Sequence, residues 1–171
     1  QSIDFKISIG KSNFSLTIHD HGDITLSGHS LGIRFPLSTS PANLDDLQDG
    51  FSVTLFSIAK NVLKSIGHKP RGIEVVNIVG RLNYGRKLNI ENIDNFVKTS
   101  RSQQYARWTS SYEPELFPAV VLRIPPGNVL NLYRSGQIMF TKAKTISHIA
   151  RQALGIINFL RSNPSRFIEK I

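Results

Sequence analysis

Three groups of side chains in this sequence have the types and spacing to do chemistry. Residues 19–23 read His-Asp-His-Gly-Asp, and His29 follows. Alternate residues of a strand share a face, so His19 and His21 would present two imidazoles together, a usable metal-ligand spacing. The same five residues are also good hairpin-turn composition, and the chain's internal repeat accounts for Gly22 as that turn, so a turn and no metal site is the reading. The second group is Glu113-Pro114-Glu115. Pro114 places these two carboxylates on an exposed loop, where they are either simply solvated or dock a basic partner. The third group joins the aromatics Phe117 and Tyr133 to the cations Arg123 and Lys144. The aromatics read either as core side chains or as groups presented to a ligand. For nucleophilic catalysis the sequence offers no Gly-x-Ser-x-Gly elbow, and it has no Gly-rich phosphate loop. No cofactor motif is present.

The composition narrows these choices. The chain has 171 residues, 40% hydrophobic and 19% charged, which is ordinary globular composition and room for a sizeable core. It contains no Cys, which removes disulfides, thiolate catalysis and Cys-based zinc sites. Twenty-one Lys and Arg against twelve acids leave a net charge of +9, which favours polyanions and a salt-dependent affinity. No apolar run approaches the ~20 residues of a membrane span, so no membrane partner is expected. No signal peptide is visible at Gln1, and the missing initial Met reads as a trimmed chain.

The elements that must position these groups follow from periodicity. Phe5 to Ile9, Phe14 to Ile18 and Ile24 to Ser27 alternate as strands, the last two about a turn at residues 20–23. Leu16, Ile18, Ile24 and Leu26 then share one face, and Ser15, Thr17, His19, Thr25 and Ser27 the other. Residues 31–48 have loop composition. A helix is expected from about Phe51 to Ile66, with the stripe Phe51, Leu55, Ala59, Val62, Leu63 and Ile66 and a stop at Gly67. Val75 to Val79 reads as a strand, Gly80 to Lys87 as a polar basic stretch, and Asn89 as the cap of a helix over Ile90 to Val97. Residues 98–111 read as basic and polar around Tyr105 and Trp108. Strands follow over about 116–142, hinged on Ser135-Gly136. Thr145 opens a last helix with Ile146, Ile149, Ala150, Ala153, Leu154, Ile157 and Leu160 as its stripe. Asn163-Pro164 ends it, and a basic tail finishes the chain.

A repeat lies within this order. Setting Gly22 on Gly136 aligns Leu16, Ile18, Ile24, Leu26 and Ser27 with Leu130, Leu132, Ile138, Phe140 and Thr141. Both hairpins then lead to an amphipathic helix. The chain therefore reads as two related units, residues 1–70 and 71–171, forming one structural domain. The first is shorn of its opening strand and helix and carries an insertion at 31–48.

In the second unit Leu130, Leu132, Ile138 and Phe140 are expected to face the helices. Val129, Asn131, Tyr133, Met139 and Thr141 face away, joined by Asn77 and Val79. Small apolar and uncharged polar groups suit a DNA minor groove, whose floor offers acceptors and distinguishes little beyond A·T from G·C.

The run Ser110-Ser111-Tyr112-Glu113-Pro114-Glu115-Leu116-Phe117-Pro118 leads into a strand that ends in Arg123-Ile124. Tyr133-Arg134-Ser135-Gly136 and Thr141-Lys142-Ala143-Lys144 follow in order. From about Gly72 onward the chain closely resembles the second repeat of the TATA-box-binding protein (TBP) family. The resemblance implies an α+β fold: one curved, saddle-shaped antiparallel sheet from two tandem repeats, with helices on its convex face and the first repeat incomplete. It also implies a non-enzymatic transcription initiation factor that binds double-stranded DNA through the concave face. Phe117 and Tyr133 match the family's intercalating phenylalanine pair, and Asn77 its central Asn. Val79, Met139 and Thr141 match groove-floor positions. Arg123 matches a phosphate-contacting Arg, with Lys144 a further basic candidate. Glu113 and Glu115 match the acidic stirrup on which a TFIIB-like initiation factor docks, ahead of the RNA polymerase machinery. In the family each repeat inserts an aromatic pair, and the DNA is kinked at both ends of its site.

The first unit departs from this pattern. His19 stands where the family has an intercalating Phe, Asp23 replaces a hairpin Lys, and a gapless alignment leaves Ser2 in place of the second Phe. Phe5 could take that role only with a shift. Thr25 and Ser27 complete the DNA-facing candidates there. In the second unit Asn131 replaces an apolar groove residue, and Gly127 falls where the family has a basic loop residue. Relaxed TATA specificity is the expectation. Such divergence suits a protein of a large DNA virus, acting inside the cell in the nucleus or in a cytoplasmic viral factory. Two other readings stay open: a TBP-fold interaction module that has lost DNA binding, and an accessory domain of a nucleic-acid enzyme.

Overall fold

The computed structural model describes the backbone of residues 2–9, 12–19, 24–28, 46, 49, 56–61, 63–65, 67 and 77–169; among the first three segments it describes side chains only at Ser15 and Thr17. The chain divides into two compact units, residues 1–39 with 49–73 and residues 40–48 with 74–171.

In the first unit β1 (Ser2–Ile9), β2 (Ser12–His19) and β3 (Ile24–Gly28) form an antiparallel sheet in the order β1-β2-β3. Leu16 pairs with Leu26 and Ile18 with Ile24, the register that period-2 alternation requires if those four residues share a face. Residues 56–61 and 63–65 are helical, within the span expected from periodicity. Leu63 is buried, whereas Lys60 and Lys64 are exposed. The Gly67 N–H closes the end by donating to the Lys64 carbonyl, with φ of 70°. Phe51, Leu55, Val62 and Ile66 lie outside the described residues.

The second unit holds a five-stranded antiparallel sheet of order β4-β8-β7-β6-β5. Its strands are β4 (Ile78–Asn83), β5 (Thr109–Ser111), β6 (Ala119–Ile124), β7 (Asn128–Tyr133) and β8 (Gln137–Ala143). Helix α1 (Ile90–Thr99) packs on β5 and β6, and α2 (Ile146–Ser162) on β8 and β4. Val120, Leu122, Leu130, Leu132, Ile138 and Phe140 are buried against Ile146, Ile149, Ala153, Ile156 and Leu160 of α2 and Ile93 and Val97 of α1. Each fully buried aliphatic or Phe side chain contributes about 1.5–3 kcal/mol. The fold is α+β, an antiparallel sheet with helices on one face.

Both helices start where side-chain chemistry predicts. Asn89 accepts from the Asn92 N–H, and Thr145 from the His148 N–H, each satisfying a donor that the first turn would leave unpaired. Asn163-Pro164 ends α2, but the tail beyond is structured. Pro164–Phe167 forms a one-turn helix, α3. Phe167 is fully buried, stacking on Phe159 at 4.7 Å and meeting Phe96 edge-on at 5.1 Å. Ile168 pairs with Leu88, so the tail ties down the entry to α1.

Other elements differ from the periodicity reading. β4 continues through Asn83 instead of stopping near Val79. Gly80 looks like a breaker, but it marks where the strand passes beneath α2: a Cβ there would lie 2.6 Å from Ile149 Cγ2. The basic, polar stretch over 98–111 ends in β5, and its aromatics are structural. Tyr105 is buried and meets Phe96, Trp108 and Phe159 at 5.6, 5.0 and 5.3 Å. Leu154, placed in the α2 stripe by spacing, is exposed. The stripe passes to its neighbour Ala153 and to Ile157.

Gly136 is required by the turn between β7 and β8. Its φ is 90°, and a Cβ would collide with the Arg86 carbonyl oxygen. Gly136→Ala combines left-handed strain with that collision, and a stability loss of about 1–3 kcal/mol is expected. A urea titration of the two proteins measures it as a lower midpoint at unchanged slope.

Candidate nucleic-acid interface

Cross-strand partners share a face, so the register maps the side of the second sheet turned away from the helices. One row runs through Thr141, Val129, Arg123 and Thr109. The next runs through Arg81, Met139, Asn131, Val121 and Ser111. A third holds Asn83 with Gln137, and Tyr133 with Ala119. Val79 also belongs to this side, at 50% exposure. That leaves an isopropyl group in water, at a cost recovered only if something covers it. No Asp or Glu stands in these rows. The face is apolar and uncharged-polar, with Arg81 and Arg123 as its cations.

At one edge sits an aromatic pair. Phe117 precedes β6 and Tyr133 ends β7, and their rings meet edge-to-face with centroids 6.0 Å apart. Phe117 is exposed and Tyr133 half-buried, so the pair is not a core cluster. Phe117 is aimed by a closed turn: its N–H and that of Leu116 both donate to the Glu113 carbonyl, at 2.9 and 3.0 Å. The Gly136 N–H donates to the Tyr133 carbonyl at 2.9 Å, which fixes the other half.

The basic residues divide into occupied and open ones. Arg134 is ion-paired with Glu91 and, at 2.9 Å, with Glu169, and the Glu91 charge above all holds its guanidinium above the ordinary value. It is therefore poorly placed to take a phosphate. Arg81 and Arg123 are exposed and take part in none of the ion pairs among the described residues. Lys144 is exposed beyond β8. A bulge aims this end of the strand: the register slips between Ile78 and Gly80, and Lys142 takes a φ of 62°. The extra residue turns Ala143 inward, fully buried, and leaves Lys142 and Lys144 in water.

The remaining candidates fall as follows. Met139 and Thr141 are half-buried on the open face; the Thr141 hydroxyl donates to the Val129 carbonyl, which keeps its acceptor lone pairs outward. Asn77 is exposed just ahead of β4. Glu113 and Glu115 are both exposed on the turn before Phe117, beside Leu116 at 79% exposure. His19, Thr25 and Ser27 lie in β2 and β3, paired with Ser2, Thr17 and Ser15, but their side chains lie outside the described residues. His21, His29, Asp20 and Asp23 also lie outside them; among the described residues no group of three metal-ligating side chains occurs. Sequence reasoning missed Arg81, Asn83, Gln137 and Val121 on this face. Continuing the alternation of Val79 through Gly80 would have found the first two.

Comparison with known proteins gives the face a context. The family model described as "Transcription factor TFIID (or TATA-binding protein, TBP)" matches residues 72–162, just over half of the chain. The chain belongs to the TBP family. It is 36% identical over 88 residues to "TATA-box-binding protein-like 1" of Entamoeba histolytica, covering 46% of this chain and 41% of that relative, so the match spans under half of the relative's length. Among solved structures it resembles Methanococcus jannaschii TBP with a TM-score of 0.57 at 19% identity, over 94% of this chain and 78% of that one. This likeness establishes the TBP fold.

Strand pairing corrects the alignment of the first unit with the second TBP repeat. Leu16↔Leu26, Ile18↔Ile24 and Thr17↔Thr25 repeat as Leu130↔Phe140, Leu132↔Ile138 and Asn131↔Met139, so His19 takes the register position of Tyr133. However, His19 pairs with Ser2 and Tyr133 with Ala119. Ser2 is therefore the counterpart of Ala119. Phe5, paired with Leu16, is the counterpart of Leu122, the partner of Leu130. The difference arises because 17 positions (19−2) separate Ser2 from His19, whereas 14 (133−119) separate Ala119 from Tyr133.

Proposed function

We propose that this chain is a TBP-like transcription initiation factor that binds double-stranded DNA along the open sheet face of its second unit, with relaxed TATA specificity. One observation carries the reading: a face without acidic side chains, apolar and uncharged-polar but for Arg81 and Arg123, with Val79 half-exposed, bordered by the Phe117–Tyr133 pair at 6.0 Å. A minor groove suits it, because the groove presents acceptors and sugar edges, and an aromatic wedge opens a base step. Asn77, Val79, Met139 and Thr141 meet the groove floor, Phe117 and Tyr133 form the wedge, and Arg123 and Lys144 take phosphates. His19, Thr25 and Ser27 are the DNA-facing candidates of the first unit. Glu113 and Glu115 dock a TFIIB-like factor, which brings in the polymerase machinery.

A gel-shift titration over salt, with A·T-rich and G·C-rich duplexes, tests this. Binding is expected to weaken steeply with salt, and modestly on changing from A·T to G·C. Absence of binding at low salt would overturn the reading. Arg123→Ala should weaken binding to all duplexes alike and lower the salt slope by about 1, as loss of a single phosphate contact does.

A further inference from the structure

Arg81 is the cation within the second unit's open face that sequence periodicity did not place there. It stands opposite Met139 in β4, in the row that continues through Asn131 and Val121. Its neighbours along the strand on that side are Val79 and Asn83, and Gln137 lies opposite Asn83. It is exposed, and no acid occupies these rows to neutralise it. Arg123 lies three strands away in the sheet order, and Arg134 is held by Glu91 and Glu169. We propose that Arg81 is a specificity-determining residue, donating its guanidinium N–H groups to minor-groove base acceptors and selecting A·T over G·C pairs.

The inference rests on the DNA-binding reading and deepens it. A guanidinium carries five donors and no acceptor. A·T and T·A pairs show only acceptors in the minor groove, whereas a G·C pair adds the guanine amino group, a donor. Val79 and Met139 cannot sense that difference through hydrogen bonds. Asn131, Asn83 and Gln137 carry both donors and acceptors, so they can turn to suit either pair. Arg81 cannot, and a G·C pair beneath it sets donor against donor in a site the sheet has cleared of water. Tyr133 is on β7, two strands from β4, so Arg81 stands about 10 Å from the wedge and acts apart from it.

The test uses the full chain and three duplexes of equal length: A·T, G·C and inosine·C, which lacks the guanine amino group. The unmodified protein is expected to bind A·T and inosine·C alike, and G·C about tenfold more weakly. Arg81→Ala should lower affinity for the first two to near the G·C level, collapsing the ratio. Arg81→Gln, uncharged but still a donor, should keep part of it. A uniform loss across all three duplexes, with a salt slope reduced by about 1, makes Arg81 a phosphate contact and overturns the inference. So does an unchanged A·T to G·C ratio, or inosine·C behaving like G·C. In these cases DNA binding by the unmodified protein still stands. Failure of the unmodified protein to bind any duplex removes both proposals. Because Arg81 is exposed on a strand, both variants should melt within a few degrees of the parent.

Discussion

Phe117→Ala is expected to weaken DNA binding about ten- to a hundredfold and to flatten the bound duplex. A base–aromatic stack is worth about 1–3 kcal/mol, and opening a base step costs a few kcal/mol that apolar contact must offset. Phe117 sits on a closed turn with its ring against Tyr133, so the wedge is built before DNA arrives and loses little entropy on insertion. Removing the ring leaves Tyr133 alone, too small a wedge to hold a step open. His19→Ala should do little to either affinity or bend. An imidazole supplies less apolar area than a phenyl ring and loses more hydration on entry. In the first unit His19 has Ser2 across from it in β1. The distortion should therefore be one-sided and weaker than that of a TBP with two wedges, with less reliance on easily kinked steps. Energy transfer between dyes at the two duplex ends measures the bend. A bend more sensitive to His19 than to Phe117 would falsify the asymmetry.

The second repeat was legible in the sequence because alternation, turn chemistry and motif order agreed there. Leu130, Leu132, Ile138 and Phe140 were assigned to the core from period 2 about Gly136, and all four are fully buried. The caps Asn89 and Thr145 were equally readable, because a polar side chain before an amphipathic run has a specific donor to satisfy. What escaped was structure fixed by distant contacts. β4 carries Gly80 between Val79 and Arg81, and only the passage beneath Ile149 explains that glycine. With the strand ended too early, Arg81 was lost from the face. Phe167 was left in a tail because its partners, Phe159 and Phe96, lie on two other helices. The opening strand of the first unit was hard to align for a third reason: 17 positions (19−2) separate Ser2 from His19 but 14 (133−119) separate Ala119 from Tyr133, which the ladders show and a gapless alignment cannot.

The loop before Phe117 supports the second large effect. Reversing both carboxylates, Glu113→Arg with Glu115→Arg, is expected to abolish the complex with a TFIIB-like factor on DNA, by a hundredfold or more. Both side chains are exposed, and the turn that carries them is closed by two hydrogen bonds onto the Glu113 carbonyl. They precede Leu116, whose 79% exposure sets an apolar group beside two negative charges. That combination fits a partner with a small apolar pocket rimmed by Lys or Arg, since apolar anchors carry affinity while rim charges steer and discriminate. Reversal turns attraction into repulsion at two points, so association should slow sharply, and more so at low salt. DNA affinity should stay equal or rise slightly, because each reversal adds two positive charges, taking the net charge from +9 to +13. Leu116→Ala separates the two contributions. It should leave the association rate near normal and speed dissociation, as loss of an anchor does. Supershift assays with the TFIIB-like factor read the complex, and surface-bound duplex gives the two rates. If the double reversal recruits the factor as the parent does, the docking role of this loop is gone, and Glu113 and Glu115 serve only to keep an exposed turn in water.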